Sequence, residues 1–217
     1  MTKIVLWGTK ASPFVRKVML ALYEKELSFE QLEVLPSSFL KVIKKEPLEK
    51  FSTISPLGKI PAIEIDNFHI ADSAIIIQYL EHKFAETTKL YPTEVENFAK
   101  ALWFERFSDD ELAKVATRRL FYEIYGKPLA FGSKPDEKLV KIAKEKQLPP
   151  LLKYLDTCIE NNTYFVGNEF SIADIAITTQ LLALEMSNIV VNDVLYPNLH
   201  KYFNNIKNRP NIQKIII

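Results

Sequence analysis

The chain has 217 residues, of which 47% are hydrophobic, and its 28 Lys and Arg against 27 Asp and Glu leave a formal net charge of +1. This is enough apolar sequence for one large or two small packed domains, and the balanced charge gives no overall field that would attract nucleic acid or an anionic membrane. The single cysteine, Cys158, excludes an intrachain disulfide, and no apolar run approaches the roughly 20 residues that span a bilayer. Because the N-terminus also lacks the apolar core of a secretory signal, we expect a cytoplasmic protein without nucleic-acid or membrane partners.

The first part of the chain alternates strands and helices. Residues 3–7 form a short apolar run that predicts a buried strand, and the apolar residues after the Ser12-Pro13 turn recur at helical spacing. Residues 29–34 alternate apolar and polar side chains as a half-covered strand does, and the two strands of this β-α-β unit should be parallel. Residues 36–50 are charged and contain a proline, and they predict one irregular helix and a loop.

Strands are predicted only in the first third of the chain. Residues 60–65 and 68–70 predict an antiparallel strand pair, and a helix should follow from Asp72. After a polar linker, the remaining sequence has helical spacing, and Gly126-Lys127-Pro128 is expected to end the first long helix. The predicted fold class is α/β followed by all-α, in which a βαβαββα domain precedes an all-helical one. The later helices are expected over residues 94–125, 136–161, 171–186 and 196–207.

Three motifs stand in order along this framework. They are the Ser12-Pro13 helix entry, the segment 56–62 (PLGKIPA), and the Asp72-Ser73 pair that opens the next helix. In this order and spacing they resemble a cytosolic glutathione transferase of the serine type, although Ser55 stands where that family has asparagine. The resemblance implies a thioredoxin-like glutathione-binding domain over residues 1–83, a linker over 84–93, and an all-helical domain over 94–217 that carries the electrophile pocket.

Ser12 is the candidate catalytic residue. A nucleophilic thiol must be stabilised as its thiolate, since its pKa lies well above 7, and a hydroxyl at a helix N-terminus can donate the hydrogen bond that does so. Two alternatives remain open at this point. Ser12 could serve only as a helix cap, and Thr9, three residues upstream, could supply the working hydroxyl instead. Ser12 is not expected to be a covalent nucleophile, because no G-x-S-x-G segment surrounds it.

The resemblance assigns the remaining glutathione contacts. Ile60 would pair with the cysteinyl part of the tripeptide through its backbone, beside a structural Pro61 in a cis peptide bond. Lys59 would bind the glycyl carboxylate, and the alternative is a solvated lysine. Asp72 and Ser73 would bind the γ-glutamyl group at a helix N-terminus, where each could equally serve as a cap.

In the helical half, Ser171 and Asp174 have the spacing of a capping box, which gives both residues a structural role. Phe14, Phe104 and Phe107 are the candidate walls of an apolar electrophile pocket, although aromatic residues at helical spacing also occur in cores.

These assignments predict a glutathione transferase active in detoxification. Glutathione is its co-substrate, no metal is expected, and the resemblance implies a homodimer. The alternative is a non-catalytic module of the same fold that binds a protein partner, as starvation proteins and translation factors of this kind do.

Overall fold

The chain divides into two units along its length. A computed structural model describes residues 2–160 and 162–217, and the units are Met1–Lys89 and Leu90–Ile217. The first unit contains a mixed sheet with helices, and the second is helical. This organisation confirms the predicted fold class of an α/β domain followed by an all-α domain.

The sheet of the first unit has four strands in the order β2-β1-β3-β4. β1 pairs with β2 in parallel, as the β-α-β pattern predicts, and places Val5 opposite Glu30. β1 and β3 are antiparallel, as are β3 and β4, so the sheet is mixed. The strands are β1 (Ile4–Trp7), β2 (Glu30–Leu32), β3 (Ala62–Ile65) and β4 (Phe68–Ala71).

Among the described residues of this unit, four helices accompany the sheet, one more than the sequence predicts. The segment 36–50, expected to hold one irregular helix and a loop, forms a short helix and then enters a second one at Glu49. The second helix is stabilised because Phe51 and Ile54, three positions apart, are both buried on one face. The helices are α1 (Pro13–Glu24), α2 (Ser37–Val42), α3 (Glu49–Ile54) and α4 (Ser73–Lys83).

The two faces of the sheet follow the alternation of β1. Val5 and Trp7 belong to a buried cluster that includes Phe51 and Ile54 of α3. The rings of Trp7 and Phe51 stack with centroids 6.1 Å apart. The intervening Leu6 is fully buried, and because successive strand residues point to opposite faces, it lies on the other side of the sheet.

The second unit is a set of helices, several of which contain wider π-type turns. The predicted stop at Gly126-Lys127-Pro128 is wrong, since the helical backbone continues to Phe131 and ends at Gly132, which has φ +63°. Pro128 lies where the wider π-type turns of residues 116–126 pass into α-helical turns, and the backbone stays helical through it. The segments are α5 (Val95–Phe107), α6 (Ala113–Val115), α7 (Lys127–Phe131), α8 (Glu137–Ile142), α9 (Leu148–Ile159), α10 (Ile172–Met186), α11 (Pro197–Lys207) and α12 (Pro210–Gln213), with π turns over Ser108–Leu112, Ala116–Gly126 and Ala143–Gln147. Across the described residues, no helix combines the length and apolar character needed to cross a bilayer.

Candidate active site

Ser12 is the N-cap residue of α1, and Pro13 is the first residue of that helix. Its backbone is committed, because Ser12 N donates to Thr9 O at 3.0 Å and Ser12 O accepts from Arg16 N at 3.0 Å. Its side chain makes no capping hydrogen bond to any described residue. The half-buried hydroxyl therefore remains able to donate to a ligand at the positive end of the helix.

Thr9 has a different environment from Ser12. Its hydroxyl oxygen accepts a hydrogen bond from Ala11 N at 3.3 Å, and its carbonyl accepts the one from Ser12 N. These are the contacts of a turn, in which Thr9 fixes the backbone just before the helix. Of the two candidate hydroxyls, that of Ser12 is the less engaged with the protein itself.

Gly8 brings the end of β1, the first turn of α1 and Ile60 into close contact. It has φ +146°, and a Cβ atom there would lie 2.5 Å from Val15 Cγ2 and 3.2 Å from Ile60 Cβ. Only glycine permits this approach. Because Val15 lies one turn after Ser12, the packing places the Ser12 turn and the Ile60 backbone on the same side of the first unit.

Ile60 and Pro61 connect this region to the start of α4. The Ile60–Pro61 peptide bond is cis, in agreement with the resemblance. Pro61 O accepts a hydrogen bond from Asp72 N at 3.3 Å. The three motifs of the sequence therefore meet in one region of the first unit, with Lys59 exposed at its edge.

Asp72 and Ser73 divide the roles that the sequence left open. Asp72 is the N-cap of α4, and its Oδ1 accepts from Ala74 N at 3.0 Å and from Ile75 N at 3.3 Å. Its φ of +86° is rare for a residue other than glycine, and such backbone strain is commonest at binding sites. Ser73 is 5% exposed and does not cap the helix, so its hydroxyl is not needed for that purpose.

A cationic cavity beside this region was not predicted from the sequence. It measures about 510 Å³, and its lining includes Lys41, Lys44 and Lys45, the single acidic residue Glu46, and the Pro56–Gly58 segment. Among the described residues, none of the three ammonium groups has an ion-pair partner. The spacing of these lysines in the sequence does not itself bring them together, because α2 ends at Val42 and Lys44 has φ +54°. The cavity depends on how the turn after α2 packs, for which the sequence holds no local signal.

The aromatic residues of α5 pack within the helical unit. Phe104 and Phe107 are 8% and 9% exposed, and the ring centroid of Phe107 lies 4.9 Å from that of Tyr154. Phe104 contacts Phe165 in the same way, with centroids 5.1 Å apart. These contacts are those of a core. Phe14, the third predicted pocket residue, is half-buried on α1 in the other unit.

Ser171 and Asp174 form a buried polar cluster at the start of α10. Asp174 Oδ2 accepts from Ser171 N at 3.0 Å and from Ser171 Oγ, and its Oδ1 accepts from Phe165 N and from the Tyr202 hydroxyl. Burial raises the pKa of the Asp174 carboxyl to about 6, against the lowering effect of these hydrogen bonds. The same burial, with the Asp174 charge nearby, raises the pKa of Tyr202 well above its usual value. Every polar atom of the cluster faces the fold, which fits a structural role.

Comparisons with known proteins decide the family. The sequence matches the family descriptions "Glutathione S-transferase, N-terminal domain" over residues 6–88 and "Glutathione S-transferase, C-terminal domain" over residues 123–216. A glutathione S-transferase from Hyoscyamus muticus is 31% identical over 172 residues, which cover 78% of this chain and 77% of that protein. The chain belongs to the glutathione S-transferase family. The protein is therefore an enzyme of this type with glutathione as substrate, and the predicted family is confirmed.

Two further similarities describe how the glutathione S-transferase chain relates to other proteins. A solved structure of glutathione S-transferase III in its apo form superposes with a TM-score of 0.81 at 28% identity and covers 99% of this chain and 95% of that one. An elongation factor 1-gamma from Oryza sativa is 26% identical over 90% of this chain, but the match spans only 45% of that longer protein. The matching segment is thus part of a larger protein in this relative.

Proposed function

We propose that this glutathione S-transferase activates its substrate through Ser12, whose hydroxyl donates a hydrogen bond to the glutathione thiolate. The observation that carries the proposal is the uncommitted Ser12 hydroxyl at the N-terminus of α1. A hydrogen bond to a charged group contributes about 1.5–3 kcal/mol, which corresponds to lowering the thiol pKa by about one to two units. Since a free thiol has a pKa of about 8.5, that shift makes the thiolate abundant near neutral pH.

The tripeptide would lie along the region where the three motifs meet. Ile60 would pair through its backbone with the cysteinyl residue, and the Ser73 hydroxyl with the amide groups of the first turn of α4 would bind the γ-glutamyl carboxylate. Asp72 would face the γ-glutamyl ammonium with the carboxylate oxygen that does not cap α4. Lys59 and the lysine cavity supply the positive charge that the glycyl carboxylate requires.

The thiolate would then attack an apolar electrophile, and the enzyme's contribution is positioning and electrostatic stabilisation. Phe14 remains a predicted wall of the electrophile pocket, whereas Phe104 and Phe107 make the contacts of a core. A homodimer, a cytoplasmic location and a detoxification role are likewise proposals that rest on the family resemblance.

The second candidate is a non-catalytic module that binds a protein partner. Its support is the elongation factor 1-gamma relative, in which a matching segment is part of a longer protein. The two functions differ in whether they need a ligand site. A scaffold has no use for the uncommitted Ser12 hydroxyl, the buried Ser73 hydroxyl or the lysines around the cavity.

Retention on immobilised glutathione, followed by a conjugation assay with a chloronitroaromatic electrophile, separates these functions. We expect the wild-type chain to be retained, eluted by free glutathione and active, with weaker retention for Ser73→Ala and for Lys44→Gln. Lys138→Gln, which removes an equally exposed charge from α8, is the matched control and should behave as wild type. A wild-type protein with neither retention nor turnover would support the scaffold.

A further inference from the structure

Ser55 makes three hydrogen bonds around the loop that precedes Ile60. It is 1% exposed and follows the last residue of α3. Ser55 N donates to Phe51 O at 2.8 Å, and Ser55 O accepts from Gly58 N at 2.7 Å. Its hydroxyl donates to Lys59 O, also at 2.7 Å. A single buried serine therefore ties the end of α3 to both the turn and the far end of the loop.

The hydroxyl contact fixes the direction of one peptide plane. The Lys59–Ile60 peptide bond is trans, so its carbonyl and its amide hydrogen point in opposite directions. With Lys59 O directed inward to the buried Ser55 hydroxyl, Ile60 N–H must point away from Ser55. Within the described part of the chain, no hydrogen bond uses that amide hydrogen.

Ile60 itself is held by packing on its other side. Its Cβ lies against Gly8, and its half-buried side chain packs on the cluster around Trp7 and Ala62. The side chain of Ile60 therefore has little freedom, whereas the Lys59–Ile60 peptide plane could still rotate. The hydrogen bond from the Ser55 hydroxyl to Lys59 O restrains that rotation.

We propose that Ser55 is a positioning residue for glutathione, and that its buried hydroxyl holds Ile60 N–H in the direction from which it binds the backbone of the tripeptide. The inference rests on the proposed function, because it assigns Ile60 to the glutathione site. Ser55 stands where the family motif has asparagine, so this chain obtains the same loop geometry from a shorter side chain. Without the hydroxyl, Lys59 O would turn toward water, and Ile60 N–H would turn with it.

The test measures glutathione and electrophile kinetics for Ser55→Ala and for a matched control. Thr53→Ala is the control, since Thr53 is exposed on α3 close to Ser55 and its hydroxyl donates to Glu49 O one turn earlier. For Ser55→Ala we expect KM for glutathione to rise about tenfold, the cost of one lost hydrogen bond. The kcat at saturating glutathione and KM for the electrophile should stay within about twofold, and Thr53→Ala should match wild type.

A second pair of variants keeps the test valid if Ser55→Ala folds poorly. Ser55→Thr and Ser55→Val have the same shape and differ only in the hydroxyl, so any effect of added volume cancels between them. We expect Ser55→Thr to bind glutathione about tenfold more tightly than Ser55→Val, and glutathione to slow exchange of the Ile60 amide hydrogen more in the threonine variant.

The possible failures are distinguishable. Equal glutathione affinity for the threonine and valine variants, in a wild-type enzyme that binds and turns over glutathione, would overturn the role of Ser55 and leave the proposed function intact. A loss of kcat in step with the gain in KM would assign Ser55 to general folding and would also overturn it. Absence of glutathione binding in the wild type would remove the proposed function and the role of Ser55 together.

Discussion

At the scale of single residues, the site depends on which polar atoms the fold leaves unused. Ser12 caps α1 only through its backbone, whereas Asp72 caps α4 with its side chain and so spares the Ser73 hydroxyl. Ser55 uses every polar atom it has to hold the loop between α3 and β3. Three serines in one unit thus have three different roles, and hydrogen bonding rather than residue type distinguishes them.

Gly8 is a residue at which the packing of the site leaves no room for a side chain. Gly8→Ala would place a methyl group 2.5 Å from Val15 Cγ2 and against Ile60. We expect a loss in the free energy of unfolding that exceeds the loss for Gly132→Ala by about 1–3 kcal/mol, the usual cost of overpacking. Urea denaturation of both variants measures the difference.

Gly132→Ala is the matched control because Gly132 also has positive φ, but an added Cβ there meets no atom within 4 Å. The control therefore contains the milder strain of the left-handed region, and the difference reports the collision at Gly8 together with the stronger strain of its φ of +146°. Equal losses for the two variants would mean that the Val15 and Ile60 contacts at Gly8 relax freely, which would contradict the close packing described here.

At the scale of elements, the start of α10 contains a buried carboxyl group, that of Asp174, whose pKa is raised. The folded-state pKa of Asp174, about 6, lies above its ordinary value of 3.8 because the carboxyl is buried. Between these values the folded state holds a proton that the unfolded state has lost. This contribution to stability is therefore complete below the unfolded pKa and is lost as the pH rises through the folded pKa.

Asp174→Asn removes this titration. We expect the difference in unfolding free energy between wild type and Asp174→Asn to shift in favour of wild type by about 1 kcal/mol when the pH falls from about 7 to about 5. Denaturant titration at the two pH values measures it.

Glu94→Gln provides the control at another helix start. Glu94 caps α5 by accepting from the backbone amides of Glu96 and Asn97, and these hydrogen bonds lower its pKa from 4.5. Its contribution is present above its unfolded pKa and is lost only at lower pH, so the difference between wild type and Glu94→Gln should stay constant over the same range. An Asp174→Asn difference that is equally constant would contradict the assignment of a raised pKa.

At the scale of the whole molecule, the order of elements and the family could be predicted from the sequence because both depend on local signals. Strand alternation, helical spacing and the Ser12-Pro13, Pro61 and Asp72-Ser73 motifs are readable in short windows. Contacts between distant residues were not predictable in the same way. The hydroxyl bond from Ser55 to Lys59, and the approach of Gly8 to Ile60, depend on how loops pack once the sheet has formed.

Two predictions about where helices begin and end were wrong, and both depended on contacts between distant residues. Gly126-Lys127-Pro128 is a common helix stop, but here the backbone stays helical through Pro128 and ends at Gly132. The charged segment 36–50 shows no clear helical pattern in the sequence, yet it contains α2 and the start of α3. The burial of Phe51 and Ile54 explains why α3 forms. Local patterns indicated the elements, and tertiary packing determined where they end.

The central claim is that the intact enzyme stabilises the glutathione thiolate through the Ser12 hydroxyl. The most direct measurement is the ultraviolet absorbance of the thiolate of bound glutathione as a function of pH, for wild type, Ser12→Ala and Thr9→Val. We predict a bound-thiol pKa about one to two units higher in Ser12→Ala than in wild type, with Thr9→Val close to wild type. An unchanged pKa in Ser12→Ala, or a rise confined to Thr9→Val, would contradict the account.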